Sequence, residues 1–403
     1  MLSIQFLDFL HLYNHAFLDP ALYRLAKAGK AFYNKSKFAS QINFAGFDSQ
    51  TQNHEAVLHT LRRDPIKVKR KRKVFIILFI IILLLAVLYF ILVNFLVSAA
   101  LVPTFMRKLE SFQRITDESY AAQVQTSDIQ VNRQLALNHT SDWLETVTSR
   151  ALSAVSSDGY TLIATEFIRE NVEDSQLPEE DTHLWALILH GYTGWKEEMY
   201  PFACWYYEEG YHVIVPDLRC QGESEGDFIG MGWTDHYDCN LWIDYILSQD
   251  PDARIVIHGQ SMGASTALIM TGENNLSDHV IAVISDCAYT DAYSMFGDKV
   301  TEWFYLPAFP LVDSARIVLL LRGGYDLMDA SALNTVKVSN TPTLFIHGTS
   351  DAMISAQMSQ ELYDAATCPK ELLLIDGAGH AQAQDKDPET YYGAIQEFLR
   401  EVL

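Results

Sequence analysis

A serine flanked by glycines stands at the end of a short apolar run in the middle of the chain. The run is Arg254-Ile-Val-Ile-His258, and it continues into Gly259-Gln-Ser-Met-Gly263, with Ser261 at the centre. The β-branched residues predict a strand, the small residues after the serine predict a helix, and the glycines permit a tight turn between them. The segment therefore predicts a serine held on a strained turn, where its hydroxyl can act as a nucleophile.

A serine hydroxyl becomes a good nucleophile only when a base takes its proton and an acid orients that base. Two later apolar runs end near suitable side chains: 343–346 precedes Asp351, and 371–375 precedes His380. Serine, then aspartate, then histidine is the chain order that accompanies this kind of turn. We therefore expect Ser261 to attack, His380 to accept its proton and Asp351 to orient the imidazole ring.

Two other carboxylates compete for the role of the acid. Asp286 also follows an apolar run, and Asp376 lies four residues before His380. Asp376 is too near His380 in the chain to reach its ring easily, so Asp286 is the main alternative to Asp351. Backbone N–H groups should bind the negative charge that develops on the substrate oxygen. We assign this role to Met262, which follows the serine, and to Tyr192, in an earlier loop.

Strand-like and helix-like runs alternate from about residue 184 onwards, after a β-hairpin signal at Ser157-Asp158-Gly159. This alternation predicts a mostly parallel sheet with helical crossovers, and functional residues should lie beyond the carboxyl ends of its strands. The segment 292–335 is too apolar for a plain loop. It predicts a small helical cap over the serine, or else a crossover packed in the core.

Several other polar residues are interpreted as structural. His190, His258 and His347 each end a strand before a glycine, and Asp217 and Arg219 are expected to pair with each other. Glu223 and Glu225 lack metal-ligand spacing. The cysteines are scattered, without a C-x-x-C motif, and indicate buried apolar residues more than a disulfide framework. These residues are Cys204, Cys220, Cys239, Cys287 and Cys368. We predict no metal and no cofactor.

A 24-residue run without charge, Val74 to Val97, is long enough to cross a bilayer. The basic run Lys67 to Lys73 precedes it, which predicts a cytoplasmic N-terminus and a body outside the cell. A cleaved signal peptide is the alternative, since Val97-Ser-Ala99 resembles a cleavage site, but the run exceeds the usual length. Residues 74–403 carry a net charge of −30, from 16 basic and 46 acidic residues, which argues against nucleic-acid binding.

The catalytic motifs resemble those of the α/β-hydrolase superfamily, and within it the membrane-anchored, esterase-like serine hydrolases of Gram-positive bacteria. The resemblance covers about 150–403 and departs at Cys220-Gln221, where relatives often have Gly-His. It implies an α/β-hydrolase fold with a small helical cap, preceded by one transmembrane helix, and ester hydrolysis without a cofactor. The matching segments are HGYTG (190–194), PDLRCQGESEGD (216–227), GMGWTDHYD (230–238), GQSMGAS (259–265), SDCAYTD (285–291), LPAFPL (306–311), FIHGTSD (345–351) and DGAGHAQA (376–383).

Four consecutive regions are therefore predicted. They are a cytoplasmic segment or overextended start at 1–73, a transmembrane helix at 74–97, a membrane-proximal stalk at 98–150 with Trp143 and Leu144 as possible docking points, and a hydrolase domain at 151–403 with its cap at about 292–335. The expected protein is a single-pass protein of the cell membrane that cleaves small ester substrates outside the cytoplasm. A serine peptidase or amidase, and a catalytically silent interaction domain, are the alternatives.

Overall fold

The structure is a computed structural model of the 403-residue chain. It describes residues 65–103, 128–169, 183–272 and 276–403. The predicted cytoplasmic segment lies almost entirely outside the described residues. The chain divides into two compact units, Met1–Ile82 and Leu83–Leu403.

The first described element is α1 (Pro65–Leu101), a 37-residue helix. Among the described residues it is the one helix long and apolar enough to cross a membrane, over Arg72–Leu101. It continues four residues past the predicted end at Val97, because Ser-Ala-Ala-Leu favours helix. Its last turns belong to the second unit, where Val93, Val97 and Leu101 are buried in the core. The compact unit therefore begins inside this helix and well before the predicted domain start at 151.

The segment predicted as a stalk, 98–150, is not free of the domain where the structure describes it. Helix α2 (Asp128–Leu144) buries Trp143 against Phe167, with ring centroids 4.6 Å apart. The Arg133 side chain also pairs with Asp385, at 2.6 Å. Of the two docking residues predicted, Trp143 is buried and Leu144 is 40% exposed. Burial of the indole ring holds this helix against the domain.

The described residues of the second unit form an eight-stranded sheet in the order β1-β2-β4-β3-β5-β6-β7-β8. Its antiparallel hairpin, β1 (Ser149–Val155) and β2 (Thr161–Phe167), turns at Gly159 with φ of +95°. Strand β2 pairs antiparallel with β4, and the remaining pairs are parallel, as the alternating pattern predicts. The parallel strands are β3 (Leu184–Leu189), β4 (His212–Pro216), β5 (Arg254–Gln260), β6 (Val280–Asp286), β7 (Thr343–Gly348) and β8 (Lys370–Ile375).

Helices cover both faces of the sheet, and each face carries its own apolar core. Strands β3 and β7 are buried along their whole length, which explains why they are continuous apolar runs without alternation. The helices of this unit are α3 (Tyr200–Glu208), α4 (Trp233–Gln249), α5 (Met262–Met270), α6 (Ala292–Phe304), α7 (Ala308–Gly323), α8 (Ala332–Val336), α9 (Ala356–Ala365), α10 (Ala383–Lys386) and α11 (Pro388–Val402).

The sheet brings distant parts of the chain to one edge. Ser261 follows β5 directly, while Asp351 and His380 follow β7 and β8 within five residues. Because β5 to β8 are parallel neighbours, their carboxyl ends lie side by side. Helices α6 and α7 occupy the segment predicted as a cap, between β6 and β7.

Candidate active site

The turn between β5 and α5 holds Ser261 in a backbone conformation that few side chains adopt. Its φ is +56° and its ψ is −115°. The turn closes because two glycines let main chains approach: a Cβ on Gly259 would lie 2.2 Å from the Gly263 carbonyl oxygen, and a Cβ on Gly263 would lie 2.2 Å from the Leu189 carbonyl oxygen. Both contacts are with backbone, which cannot move aside, so glycine is required at both positions.

Replacing Gly263 with alanine should destabilise the protein by about 3 kcal/mol, because the new methyl group overlaps the Leu189 carbonyl. Gly393→Ala is the matched control, since a Cβ there has no neighbour within 4 Å in the middle of α11. In a helix the same change should stabilise by up to about 1 kcal/mol. Thermal unfolding of the full-length chain in detergent measures the change in stability of each variant. Equal melting temperatures for the two variants would contradict the steric account of the turn.

The three residues predicted for catalysis are connected in series by two hydrogen bonds. Ser261 Oγ is 2.9 Å from His380 Nε2, and His380 Nδ1 is 2.7 Å from Asp351 Oδ2. Since Asp351 is an acceptor when ionised, His380 donates from Nδ1 and offers the lone pair of Nε2 to the serine hydroxyl. The arrangement can therefore draw a proton from Ser261.

Asp351 is held as a carboxylate by its surroundings. The N–H groups of Met353 and Ile354 donate to Oδ1 at 2.7 and 2.8 Å, and His347 Nε2 lies 3.2 Å from Oδ2. Burial of the carboxyl group favours its neutral form, but the hydrogen bonds with His347 and His380 outweigh it. The pKa of Asp351 therefore lies well below its usual value. An ionised acid at this position stabilises the imidazolium that would form on His380.

Asp286, the alternative acid, makes different contacts. Gln260 and Tyr391 donate to its Oδ2 at 3.0 and 3.1 Å, and no hydrogen bond to His380 is present among the described residues. Its other oxygen, Oδ1, is buried and has no partner in the described part of the chain. Burial raises the pKa of Asp286, with the hydrogen bond from Gln260 opposing it. The structure thus joins the histidine to Asp351 and not to Asp286.

A buried hydrogen-bond chain continues from Asp286 to His258. Tyr391 donates to Asp286, so its oxygen accepts from His258 Nε2 at 3.1 Å. His258 Nδ1 is then the acceptor for Tyr206, at 3.2 Å. Burial lowers the pKa of His258 to about 3, so the ring is neutral in the folded protein. His258 is structural, as the sequence predicts.

The neutral state of His258 makes stability depend on pH. Below the ordinary histidine pKa of 6.5 the unfolded chain takes up a proton that the folded chain refuses until about pH 3. The free energy of unfolding should therefore decrease as pH falls below about 6.5. His258→Gln keeps a donor and an acceptor and should reduce the loss of unfolding free energy between pH 7 and pH 4 by about 1–3 kcal/mol. If His258→Gln loses as much unfolding free energy between pH 7 and pH 4 as the unsubstituted protein, His258 is not the source of the pH dependence.

The loop that carries the first predicted oxyanion donor lies against the serine. A Cβ on Gly191 would lie 3.4 Å from Ser261 Cβ, which places the neighbouring Tyr192 backbone beside the nucleophile. His190 fixes this loop: its Nδ1 donates to the Gly191 carbonyl at 2.8 Å, and its Nε2 accepts from Leu218 N at 2.9 Å. Burial lowers the pKa of His190 and keeps it neutral in this role.

The second predicted donor, Met262, is the first residue of α5. The first N–H groups of a helix have no intrahelical acceptor, and the positive end of the helix dipole adds to their effect on an anion. Met262 follows the serine directly, and Tyr192 follows Gly191, which lies against the serine side chain.

The predicted pair between Asp217 and Arg219 is wrong. Arg219 binds Asp238 through two hydrogen bonds of 2.6 and 2.7 Å, while Asp217 accepts from Lys196 Nζ at 2.9 Å. Both residues lie beyond the end of β4 at Pro216, where the path of the loop decides which partner each side chain meets. Asp217 also accepts from the backbone N–H of Lys196 at 2.7 Å, which fastens the loop after β3 to the loop after β4.

Two groups of described side chains could each offer three ligand atoms to a metal ion: His139, Cys204 and Glu208, and Cys287, Asp351 and His380. A cysteine binds metal as a thiolate. Burial raises the pKa of the Cys204 thiol to about 12 and that of Cys287 well above its ordinary value. In the second group, Asp351 and His380 are also bonded to each other. A raised thiol pKa disfavours the thiolate form in both groups.

The comparisons with known proteins agree with this architecture. The model of the alpha/beta hydrolase family matches residues 186–394, just over half of the chain. The chain belongs to the α/β hydrolase family. This α/β hydrolase is 29% identical to the protein YqkD of Bacillus subtilis strain 168 over 230 residues, which cover 57% of the chain and 75% of YqkD. It is 25% identical to the protein YfhR of Escherichia coli K12 over 236 residues, which cover 58% of the chain and 75% of YfhR.

Among solved structures, this α/β hydrolase is similar to the esterase Pf2001 of Pyrococcus furiosus. The TM-score is 0.51 at 22% identity, covering 64% of this chain and 92% of the esterase. A likeness at that identity concerns the fold. Family membership and fold together make the protein a hydrolase.

Sequence reasoning missed how two residues contribute to the site of this α/β hydrolase. His347 was interpreted as structural, yet its Nε2 contacts Asp351. Its position four residues before Asp351, at a strand end, was the available signal. Tyr391 was not singled out, and it is fully buried with its hydroxyl on Asp286. The sequence of an amphipathic helix does not indicate which of its tyrosines hydrogen-bonds to a distant carboxylate.

Proposed function

We propose that this α/β hydrolase cleaves carboxylic esters through a covalent acyl-enzyme, with Ser261, His380 and Asp351 as the catalytic residues. The observation that carries the proposal is the hydrogen-bond chain from Ser261 to Asp351, on a turn that only glycines can form. Nucleophile, base and orienting acid are in contact, and each lies beyond the carboxyl end of a strand.

The reaction would proceed in two halves. Ser261 Oγ attacks the ester carbonyl carbon while His380 Nε2 takes the hydroxyl proton, and the carbonyl oxygen becomes an oxyanion bound by the N–H groups of Tyr192 and Met262. His380 then gives the proton to the departing alcohol, which leaves an acyl group on Ser261. Water repeats the sequence in the second half and releases the acid. No cofactor is needed for either half.

A panel of substrates separates esterase from amidase or peptidase. Nitrophenyl esters of rising acyl chain length and aminoacyl nitroanilides are offered to the full-length protein in detergent. We expect turnover of the esters and little turnover of the anilides, since the amine is the poorer leaving group. A faster reaction with the anilides would overturn the ester assignment, and no reaction with either class would favour a silent interaction domain.

We further propose that α1 anchors the enzyme in the cell membrane as a single pass, with the hydrolase domain outside the cytoplasm. The basic run that ends at Lys73 supports this orientation, since such runs stay on the cytoplasmic side. The exposed side chains of α1 support a span, since the core helix of a soluble protein would be mostly buried. Protease added to intact cells should degrade the domain. A fully protected domain would contradict the orientation.

A further inference from the structure

The cap exposes several large apolar side chains. Along α7 and the turn before it, the exposed fraction is 90% for Tyr305, 74% for Phe309, 60% for Ile317 and 78% for Leu321. Leu306 and Leu320 are about half exposed. Large apolar side chains exposed close together in the chain indicate a surface that contacts a membrane or another molecule.

The charged groups of α7 are turned to other partners. Arg316 donates two hydrogen bonds to Asp326, at 2.5 and 2.7 Å, and Asp313 accepts from Tyr293 at 3.2 Å. The outward face of the helix is therefore left to its apolar side chains. The chain as a whole carries a net charge of −22, so attraction to acidic headgroups would not hold this face on a membrane.

The cap is hydrogen-bonded to the part of α1 that lies in the same compact unit. Tyr89 donates to the Pro310 carbonyl at 3.2 Å and lies 2.9 Å from Ser314 Oγ. Near the other end of α7, Arg322 Nη1 donates to Ser98 Oγ at 3.0 Å. These contacts follow α1 over nine residues, or about 14 Å. Helix α7 thus runs along the last turns of the membrane-spanning candidate.

The contact between Tyr89 and α7 fixes how deep the cap lies relative to the apolar run of α1. Tyr89 lies eight residues before the end of the apolar run at Val97, or about 12 Å along the helix axis. If α1 spans a bilayer, that level lies within the hydrocarbon region. Phe309, the residue before Pro310, lies at about the same level and is 74% exposed. Phe90 and Ile91 on α1 are likewise 60% and 58% exposed.

We propose that the exposed apolar face of α7 and of the turn before it lies in the lipid leaflet beside α1. The catalytic site then receives its ester from the membrane, so that the substrate class is a lipid-like ester with a long acyl chain. This inference rests on the proposed ester hydrolysis and extends it to the place where the substrate is captured. The occupant of the cap face is the lipid leaflet, since the helix that fixes the face is the membrane-spanning candidate.

The end of α1 is also connected to the catalytic loops. The Tyr192 hydroxyl donates to the Ala100 carbonyl, and Ile229 N donates to the Leu101 carbonyl at 3.0 Å. On the cap, Lys299 Nζ donates to the Ala352 carbonyl at 3.1 Å, next to Asp351. Membrane helix, cap and catalytic loops are therefore adjacent in one unit.

Fluorescence quenching tests the insertion directly. Full-length protein carrying a single added cysteine, Phe309→Cys or Leu321→Cys, is labelled with the NBD fluorophore and reconstituted into phosphatidylcholine vesicles. Doxyl-labelled phosphatidylcholine should quench both labels by at least about twofold more than labels at control sites. The controls are Val155→Cys and Val338→Cys, which are 67% and 65% exposed outside the cap. Labelling of the unsubstituted protein measures the contribution of its native cysteines, which is then subtracted.

Equal quenching at cap and control sites would overturn the proposal. A label that shows an apolar environment without quenching by doxyl lipid would also overturn it, because the cap face would then be covered by a second copy or another protein. The quenching experiment does not require hydrolysis, so its result tests membrane insertion even if the enzyme cleaves no ester.

Kinetics tests the capture of substrate. Phe309→Glu and Leu321→Glu should each lower the rate on a long-chain ester in phosphatidylcholine vesicles about tenfold relative to the rate on dissolved nitrophenyl acetate, because a carboxylate resists burial in lipid. Val155→Glu and Val338→Glu should leave that ratio unchanged. A ratio unchanged in the cap variants would overturn lipid capture. Failure of the unsubstituted protein on both esters would instead refute the proposed function.

Discussion

Ser261→Ala should lower kcat/KM for a nitrophenyl ester by about 10⁵-fold or more, because the variant has no nucleophile to form the acyl-enzyme. The hydrogen bond to His380 Nε2 is lost, while Tyr192 and Met262 remain able to bind the oxyanion. A small residual rate above that of water is therefore expected. Initial rates with equal amounts of folded protein measure the effect.

Ser265→Ala is the matched control on the same helix. The Ser265 hydroxyl accepts a hydrogen bond from Tyr289 N at 3.0 Å and has no contact with His380. Its loss should destabilise the protein by about 1–2 kcal/mol and change the rate by less than about tenfold. Comparable activity in Ser261→Ala and the unsubstituted protein would contradict the account.

Asp351→Asn should lower kcat by about 10⁴-fold, since the asparagine amide no longer holds His380 with its Nδ1 proton towards the acid. The backbone donors of Met353 and Ile354 can still bind the remaining carbonyl oxygen, so the loop should keep its position. The loss should fall on kcat with little change in KM, because the acid acts through the histidine and does not touch the substrate.

Asp286→Asn distinguishes the two candidate acids. Asp286 is hydrogen-bonded to Gln260 and Tyr391 and not to His380, so a neutral amide of the same shape should change kcat by less than about tenfold. The opposite ranking, with Asp286→Asn the more damaging change, would assign the acid role to Asp286.

The sequence was informative where a residue type has one physical explanation. The four apolar runs that precede Ser261, Asp286, Asp351 and His380 predicted strands of a sheet, and the structure has a strand at each. The two glycines around Ser261 allowed the turn to be predicted from type and spacing alone. The order of Ser261, Asp351 and His380 along the chain was sufficient to propose the site, which the structure brings together.

The sequence was less informative where the path of a loop decides the contact. Arg219 pairs with Asp238 on α4 and not with Asp217. Asp217 pairs with Lys196, which lies 21 residues earlier in the chain. Neither partner can be read from spacing, because each depends on how two loops cross. The last turns of α1 were predicted to lead into a stalk, yet Val97 and Leu101 are core residues of the hydrolase unit. Hydropathy cannot distinguish side chains buried in lipid from side chains buried in protein.

The central claim is that Ser261 is a nucleophile activated by its neighbours, and covalent labelling tests it most directly. A fluorophosphonate probe is added to the full-length protein, and the modified peptide is identified by mass spectrometry. The account predicts one adduct, on Ser261, its absence in Ser261→Ala, and much slower labelling in His380→Ala, where no base accepts the hydroxyl proton. An unlabelled protein, an adduct on a different residue, or equal labelling of Ser261→Ala would contradict it.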